Sequence, residues 1–217
     1  MRTLTPLEAR ALAVLVEKQA TVPDTYPLSL NALVAGCNQK TARHPVIEAT
    51  EAEVMTAVDG LKSLSLVFDV SGARVVRHEH NMGRALGVPS QAVALLAVLM
   101  LRGPQTAAEL RQNCERLHRF ADISSVEGFL EELSAKEPPR VVRLSRAPGA
   151  REARWAHLLC GEVADPGPVA SAAEGASVAA GELAALKAEV SRQAAEIERL
   201  GALVHRIAGE LGIDPAA

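Results

Sequence analysis

Arginines concentrated around a Pro-Gly turn are the residues whose type and spacing best suit a binding site. The stretch RVVRLSRAPGAREARW, residues 140–155, carries five arginines, and Glu152 is its one acidic residue. Such guanidinium groups suit contact with DNA phosphates and narrow minor grooves, and they fit a partner's carboxylates equally well. The residues that we expect to contact nucleic acid are Lys40, Arg43, Arg74, Arg77, Arg143, Arg146, Arg151 and Arg154. The alternative is that these cations only solubilise the fold or pair with acidic residues of the same chain.

Residues with catalytic chemistry do not form a recognisable motif. The sequence has no Gly-x-Ser-x-Gly elbow, no glycine loop that ends in Lys-Ser/Thr, and no His-Glu-x-x-His motif. His78 and His80 are two residues apart on an expected strand, so both would point to one face. Because further ligands are not evident, an exposed pair on a hairpin is the better interpretation. We therefore expect no enzymatic activity, no cofactor and no bound metal.

Three further features of the sequence indicate which classes of protein to exclude. An odd cysteine count argues against a disulfide framework and favours reduced, buried thiols. The opening residues lack a signal-peptide pattern, and the longest apolar run, residues 92–101, is too short to span a bilayer, so we expect a cytoplasmic protein. Five aromatic residues are few for stacking single-stranded bases. The cysteines are Cys37, Cys114 and Cys160, and the phenylalanines expected in the core are Phe68, Phe120 and Phe129.

One helical unit occurs twice in the chain. Residues 4–18, LTPLEARALAVLVEK, align without a gap with residues 88–102, VPSQAVALLAVLMLR. Each is followed by two further helical patterns and then by two β-branched runs around a turn. This order predicts a mainly α fold of two tandem winged-helix domains with small β-hairpin wings, at residues 1–84 and 85–160.

Local signals place the elements of both units. Capping-box spacing pairs Thr5 with Glu8, Thr50 with Glu53, and Thr106 with Glu109. The other expected helix caps are Ser90 and either Ser124 or Ser125. The expected hairpin strands are residues 66–70, 74–80, 140–146 and 154–159.

The last quarter of the chain differs in charge and pattern. Residues 161–217 hold 4 basic and 9 acidic residues, a net charge of −5, whereas residues 1–160 hold 19 and 17, a net charge of +2. Residues 161–180 are typical of a flexible linker, and residues 181–213 repeat apolar side chains as a coiled-coil helix does. The expected dimerisation residues are Leu183, Leu186, Val190, Ile197, Leu200, Val204, Ile207 and Leu211. The alternative is a helix that folds back on its own chain.

The expected third helix of each unit is acidic. The first carries Glu51, Glu53 and Asp59 against Lys62, and the second carries Glu127, Glu131 and Glu132 against Lys136. A winged helix normally inserts its third helix in the major groove. Phosphate repulsion therefore disfavours that mode here.

The strings CNQKTARHPV (37–46), LTPLEARALAVLVEKQ (4–19) and VVRLSRAPGAREARWAHLL (141–159) resemble the YceH family of bacterial proteins, over roughly residues 3–160. This resemblance implies two winged helices but no biochemical role. It also draws attention to two polar sets: Asn38, Gln39, Lys40, Thr41 and Arg43, and Arg146, Gly149, Arg151, Glu152 and Arg154.

The sequence thus predicts a homodimeric, transcription-related regulatory protein that contacts double-stranded DNA through basic wings. The alternative is a protein–protein adaptor that uses its winged helices as a scaffold, similar to tandem winged-helix chromosome-segregation proteins. Neither hypothesis requires a small-molecule substrate or a membrane.

Overall fold

The computed structural model describes residues 2–70, 75–146 and 149–163, together with Arg192 and Arg199. Residues 1–168 form one compact unit, and residues 169–217 form another. The described helices are α1 (Pro6–Thr21), α2 (Leu30–Cys37), α3 (Glu51–Ser63), α4 (Met82–Leu86), α5 (Ser90–Arg102), α6 (Ala107–Asn113) and α7 (Ile123–Ser134). The described strands are β1 (Leu28–Ser29), β2 (Val67–Val70), β3 (Arg77–His80), β4 (Val141–Arg143) and β5 (Trp155–His157). Helices with small antiparallel sheets are thus confirmed, whereas the division at residue 84 stays a prediction.

The first of two similar segments, α1 to β3, starts with the expected capping box. The Thr5 hydroxyl accepts from the backbone N–H of Glu8, and the Glu8 carboxylate accepts from the backbone N–H of Thr5. The short strand β1 follows a 3-10 turn and pairs antiparallel with β3, which also pairs with β2. The resulting sheet has the order β1-β3-β2.

The second segment, α5 to β5, repeats this order of elements. Between α5 and α6, Gln105 forms an isolated antiparallel bridge with Trp155 of β5. Two backbone hydrogen bonds of 3.1 and 2.7 Å join these residues. Because β5 also pairs with β4, Gln105 occupies the place that β1 has in the first segment.

The core of this unit is centred on α1 and α5, which pack against each other. Residues 8–16 of α1 and 92–101 of α5 are buried without a break. A helix buried on every face belongs to the centre of a fold rather than to its surface. The apolar stripes of α3 and α7 cover this pair. The buried residues of these stripes include Val54, Val58, Leu61, Val126, Leu130 and Leu133.

Several expected details of the elements are wrong. Ser90 is the first residue of α5, because extended Pro89 occupies the N-cap position. Asp122, not a serine, caps α7, because its carboxylate accepts from the backbone N–H of Ser125 at 2.7 Å. All four hairpin strands are shorter than expected. Phe68 is exposed rather than in the core, and Cys160 is exposed while the other two cysteines are buried.

Candidate nucleic-acid interface

The β4–β5 hairpin presents Arg143 on an aromatic support. Arg143 lies directly across the hairpin from Trp155. Its guanidinium carbon is 5.9 Å from the centre of the buried Trp155 ring, within the range of a cation–π interaction. The side chain remains exposed, so the ring orients the cation without removing it from solvent.

Arg154 is anchored to the start of α6. Its guanidinium donates to the carbonyl of Pro104 at 2.8 Å and to the carboxylate of Glu109 at 3.1 Å. Glu109 also closes the capping box with Thr106. Arg154 therefore fixes the base of the hairpin, and its charge is already partly neutralised.

Arg146 and Arg151 flank the turn of this hairpin. Both are exposed, and neither forms an ion pair with a residue that the structure describes. Gly149 between them has φ of +81°, a conformation that favours glycine. No described carboxylate thus neutralises the charge of either arginine.

The basic residues of the first segment are differently placed. The Arg43 side chain is fully buried and forms two hydrogen bonds with the carboxylate of Glu17, at 2.6 and 3.1 Å. The expectation that Arg43 is a surface contact is therefore wrong. Arg77 is half-buried and donates to two carbonyls near β1, whereas Lys40 is exposed. Arg74 lies outside the described residues.

The polar set of residues 38–43 stabilises the segment 38–50, which connects α2 to α3. Asn38 donates to the carbonyl of Ala49 and accepts from its N–H, both at 2.8 Å. Gln39 accepts from Lys18 of α1 at 3.2 Å and donates to Thr41. We conclude that most of this polar set holds the connecting segment 38–50 in place. Lys40 is the exposed cation of the set.

The first hairpin is less basic and more apolar than the second. His78 is buried, not exposed as expected, and its Nδ1 lies 2.8 Å from the Asp69 carboxylate. Burial lowers the pKa of His80 to about 4. Three large apolar side chains are exposed, namely Phe68, Val75 and Val76. No group of three or more potential metal ligands occurs among the described His, Cys, Asp and Glu residues.

The third helix of each segment, α3 or α7, exposes its acidic residues. Glu51, Glu53 and Asp59 are exposed on α3, where Lys62 lies 3.1 Å from Asp59. The exposed acidic residues of α7 are Glu127, Glu131 and Glu132. Neither helix therefore presents a cationic face.

Sequence reasoning missed the two residues that position the hairpin arginines. Trp155 supports Arg143, and Glu109 holds Arg154. For the first, the Pro-Gly turn indicates that the two strands face each other, but the register that pairs Arg143 with Trp155 comes only from the structure. No sequence signal indicates the second, since Glu109 and Arg154 are 45 residues apart.

The geometry defines a helical protein with one cationic hairpin and two acidic helices. A family model described as "Protein of unknown function, DUF480" matches residues 4–150. The chain is 68% identical over 219 residues to a UPF0502 protein of Burkholderia multivorans, which covers 100% of this chain and 93% of that relative. It is 64% identical over 221 residues to a UPF0502 protein of Leptothrix cholodnii, with 99% of each chain covered. The chain therefore belongs to the DUF480/UPF0502 family, which confirms the expectation of a bacterial family without an assigned role.

The described part of the chain contains no helix that is both long and apolar enough to cross a membrane. The expected dimerisation residues 183–211 lie outside the described residues.

Proposed function

We propose that this protein binds duplex DNA and is built from two tandem winged helices. The order of elements supports this proposal, because each segment runs through three helices and ends in a hairpin. The pairing supports it as well. In both segments the residues after the first helix pair with the last strand of the hairpin, β1 with β3 and Gln105 with Trp155. A winged helix has this connectivity.

The observation that carries the DNA-binding proposal is the exposed cationic tip of the second hairpin. Arg146 and Arg151 have no described carboxylate partner, and Arg143 lies near them on its tryptophan support. Phosphate contacts by arginine supply most of the affinity in non-specific DNA binding. Two or three exposed cations on one hairpin suit phosphates or a narrow minor groove.

The acidic third helices favour contact through the wing rather than through the major groove. Bringing exposed Glu127, Glu131 and Glu132 of α7 toward the phosphates would oppose binding through Coulomb repulsion. The same holds for Glu51 and Asp59 of α3. In the proposed mode these helices face away from DNA.

A protein–protein adaptor is the second candidate function, and the first hairpin favours it. Val75 and Val76 are 58% and 56% exposed, and Phe68 is 43% exposed. Three exposed large apolar side chains on one hairpin suit a surface that docks another protein. The two functions are compatible, since they use different hairpins.

We further propose that the heptads of residues 183–211 pair two chains in a parallel coiled coil. Val and Ile at one core position with mostly Leu at the other favour two strands. A dimer would present two cationic hairpins, and two linked sites bind one duplex more tightly than either does alone.

Fluorescence anisotropy with a labelled duplex of random sequence tests the DNA-binding proposal. The double variant Arg146→Ala/Arg151→Ala should bind about tenfold more weakly than the wild type at low salt, because two phosphate contacts are lost. Arg84→Ala is the matched control, since it removes an exposed cation from α4. Equal affinities of the double variant and the wild type would contradict the proposal.

The adaptor function predicts a different result from the same proteins. Val75→Ser/Val76→Ser should leave duplex affinity unchanged and abolish the capture of any partner that the wild type retains from a bacterial extract. If the variant Arg146→Ala/Arg151→Ala loses the captured partner instead, the partner binds the second hairpin.

A further inference from the structure

A cavity of about 510 Å³ lies beside α1, the connecting segment 38–50, the end of α5 and the residues that follow β5. Its size falls within the range of about 300–1,000 Å³ typical of small-molecule sites. Most of its lining is apolar, including Leu7, Ile47, Leu99, Met100, Pro104 and Ala156. The cavity is distinct from the arginines at the tip of the second hairpin, none of which lines it.

Arg10 places a positive charge in the wall of this cavity. The residue is only 4% exposed, and its terminal nitrogens donate to the carbonyls of Cys37 and Pro45 at 3.0 and 2.7 Å. Among the described residues, its Nε has no hydrogen-bond partner and no carboxylate forms an ion pair with it. Burying a charge is costly unless an opposite charge compensates it.

Buried Arg43 shows how this chain neutralises the charge of a buried guanidinium without a ligand. There the Glu17 carboxylate supplies the opposite charge through two hydrogen bonds. Arg10 lies near Arg43, and burial, together with that like charge, lowers the pKa of Arg10. Among the described residues, no buried carboxylate therefore does for Arg10 what Glu17 does for Arg43.

His157 of β5 also lines this cavity, and one of its ring nitrogens is unsatisfied. Its Nδ1 is buried and has no hydrogen-bond partner in the structure. Burial lowers the pKa of His157 to about 4, so the ring is neutral at pH 7. A neutral imidazole can donate one hydrogen bond without adding charge.

The carboxylates that line the cavity do not neutralise Arg10. Glu48, Glu53 and Glu162 are all exposed, so water screens their charges. Glu53 already accepts from Thr50 in the capping box of α3. An anion at Arg10 would thus meet a buried positive charge and only screened negative ones.

We propose that this cavity binds a small monocarboxylate with an apolar body, whose carboxylate pairs with Arg10. The apolar lining accommodates the body of the ligand, and the His157 ring offers it a further hydrogen bond. This inference does not depend on DNA binding, because it rests on the cavity and on the buried charge of Arg10 in its wall.

Calorimetric titration of the full-length protein with decanoate, below its micelle-forming concentration, tests the proposal, with naphthalene-2-carboxylate as a second probe. At least one carboxylate should bind, and the corresponding alcohol, decan-1-ol or 2-naphthalenemethanol, should bind at least tenfold more weakly. Failure of both carboxylates to bind would overturn the proposal. Equal affinity of acid and alcohol would overturn the role of Arg10 and leave only an apolar cavity.

Two variants locate the site. Ile47→Trp should fill the cavity and abolish carboxylate binding, whereas Val46→Trp should leave it unchanged, because Val46 is 53% exposed and does not line the cavity. Arg10→Gln should weaken carboxylate binding at least tenfold while alcohol binding persists. Because Arg10→Gln removes a buried contact, circular dichroism must first show that it folds. If it does not, the Ile47→Trp and Val46→Trp pair decides, and equal binding by these two would refute the site.

Discussion

Replacing Arg43 with alanine removes one partner of an ion pair buried between α1 and the connecting segment 38–50. The Arg43 side chain has no exposed surface, and Glu17 of α1 is 14% exposed. The guanidinium also donates to the carbonyls of Gly36 and Ala42. The variant would therefore leave a half-buried carboxylate and a buried carbonyl without their partners.

Loss of one partner from a buried ion pair costs about 3–5 kcal/mol. The lower end of this range applies here, because Lys18 Nζ lies 3.4 Å from the Glu17 carboxylate and would still neutralise part of its negative charge. We therefore expect Arg43→Ala to lower the free energy of unfolding by about 3 kcal/mol. For a domain of this size, that loss corresponds to a fall in Tm of roughly 6–12 °C.

Urea unfolding followed by circular dichroism measures this loss. Lys40→Ala is the matched control: the side chain is exposed three residues away, so the change should cost less than about 0.5 kcal/mol. The double variant Glu17→Leu/Arg43→Met should be more stable than Arg43→Ala, because no charge is left unpaired. If Arg43→Ala and Lys40→Ala lose the same free energy, the argument that Arg43 is structural is refuted.

Three further predictions follow from the structure and the sequence. Burial lowers the pKa of His80 and His157 to about 4; below about pH 6.5 the unfolded chain binds protons that the folded chain does not. Stability should therefore fall between pH 7 and pH 5 by up to about 2 kcal/mol per histidine, and thermal melts of His80→Gln should show a smaller fall. Glu131→Gln on α7 should leave the consensus of a binding-site selection unchanged, whereas a new consensus would mean that this helix reads bases. Deleting residues 178–217 should convert a dimer to monomers in sedimentation without unfolding residues 1–160, and a dimer that persists would place the interface elsewhere.

Local chemistry made the helix starts predictable. Thr5, Thr50 and Thr106 each cap a helix with a glutamate three residues later, as their spacing indicated. The cap of α7 was missed, because Asp122 and two serines lie close together in sequence and only the geometry shows which side chain reaches the N–H of Ser125. Spacing therefore predicts a helix start well where a threonine is followed three residues later by a glutamate.

Tertiary contacts explain what the sequence did not reveal about the site. Arg43 resembles any surface cation until Glu17, 26 residues away, is seen beside it. His78 is buried because the first hairpin packs against α1, and the Asp69 carboxylate on the neighbouring strand accepts from its ring at 2.8 Å. The sequence contains one overlooked signal for Arg10. It is a charged residue within a helix, and its neighbours on both sides are apolar.

The salt dependence of duplex binding tests the central claim most directly. For the full-length protein, the logarithm of the association constant is measured against the logarithm of the salt concentration, from about 50 to 200 mM. Each phosphate contact contributes about one unit to the slope, so Arg146→Ala/Arg151→Ala should reduce it by about two units relative to the wild type. Arg84→Ala should leave it unchanged. Equal slopes for the wild type and the double variant, or no wild-type binding at the lowest salt concentration, would contradict the account.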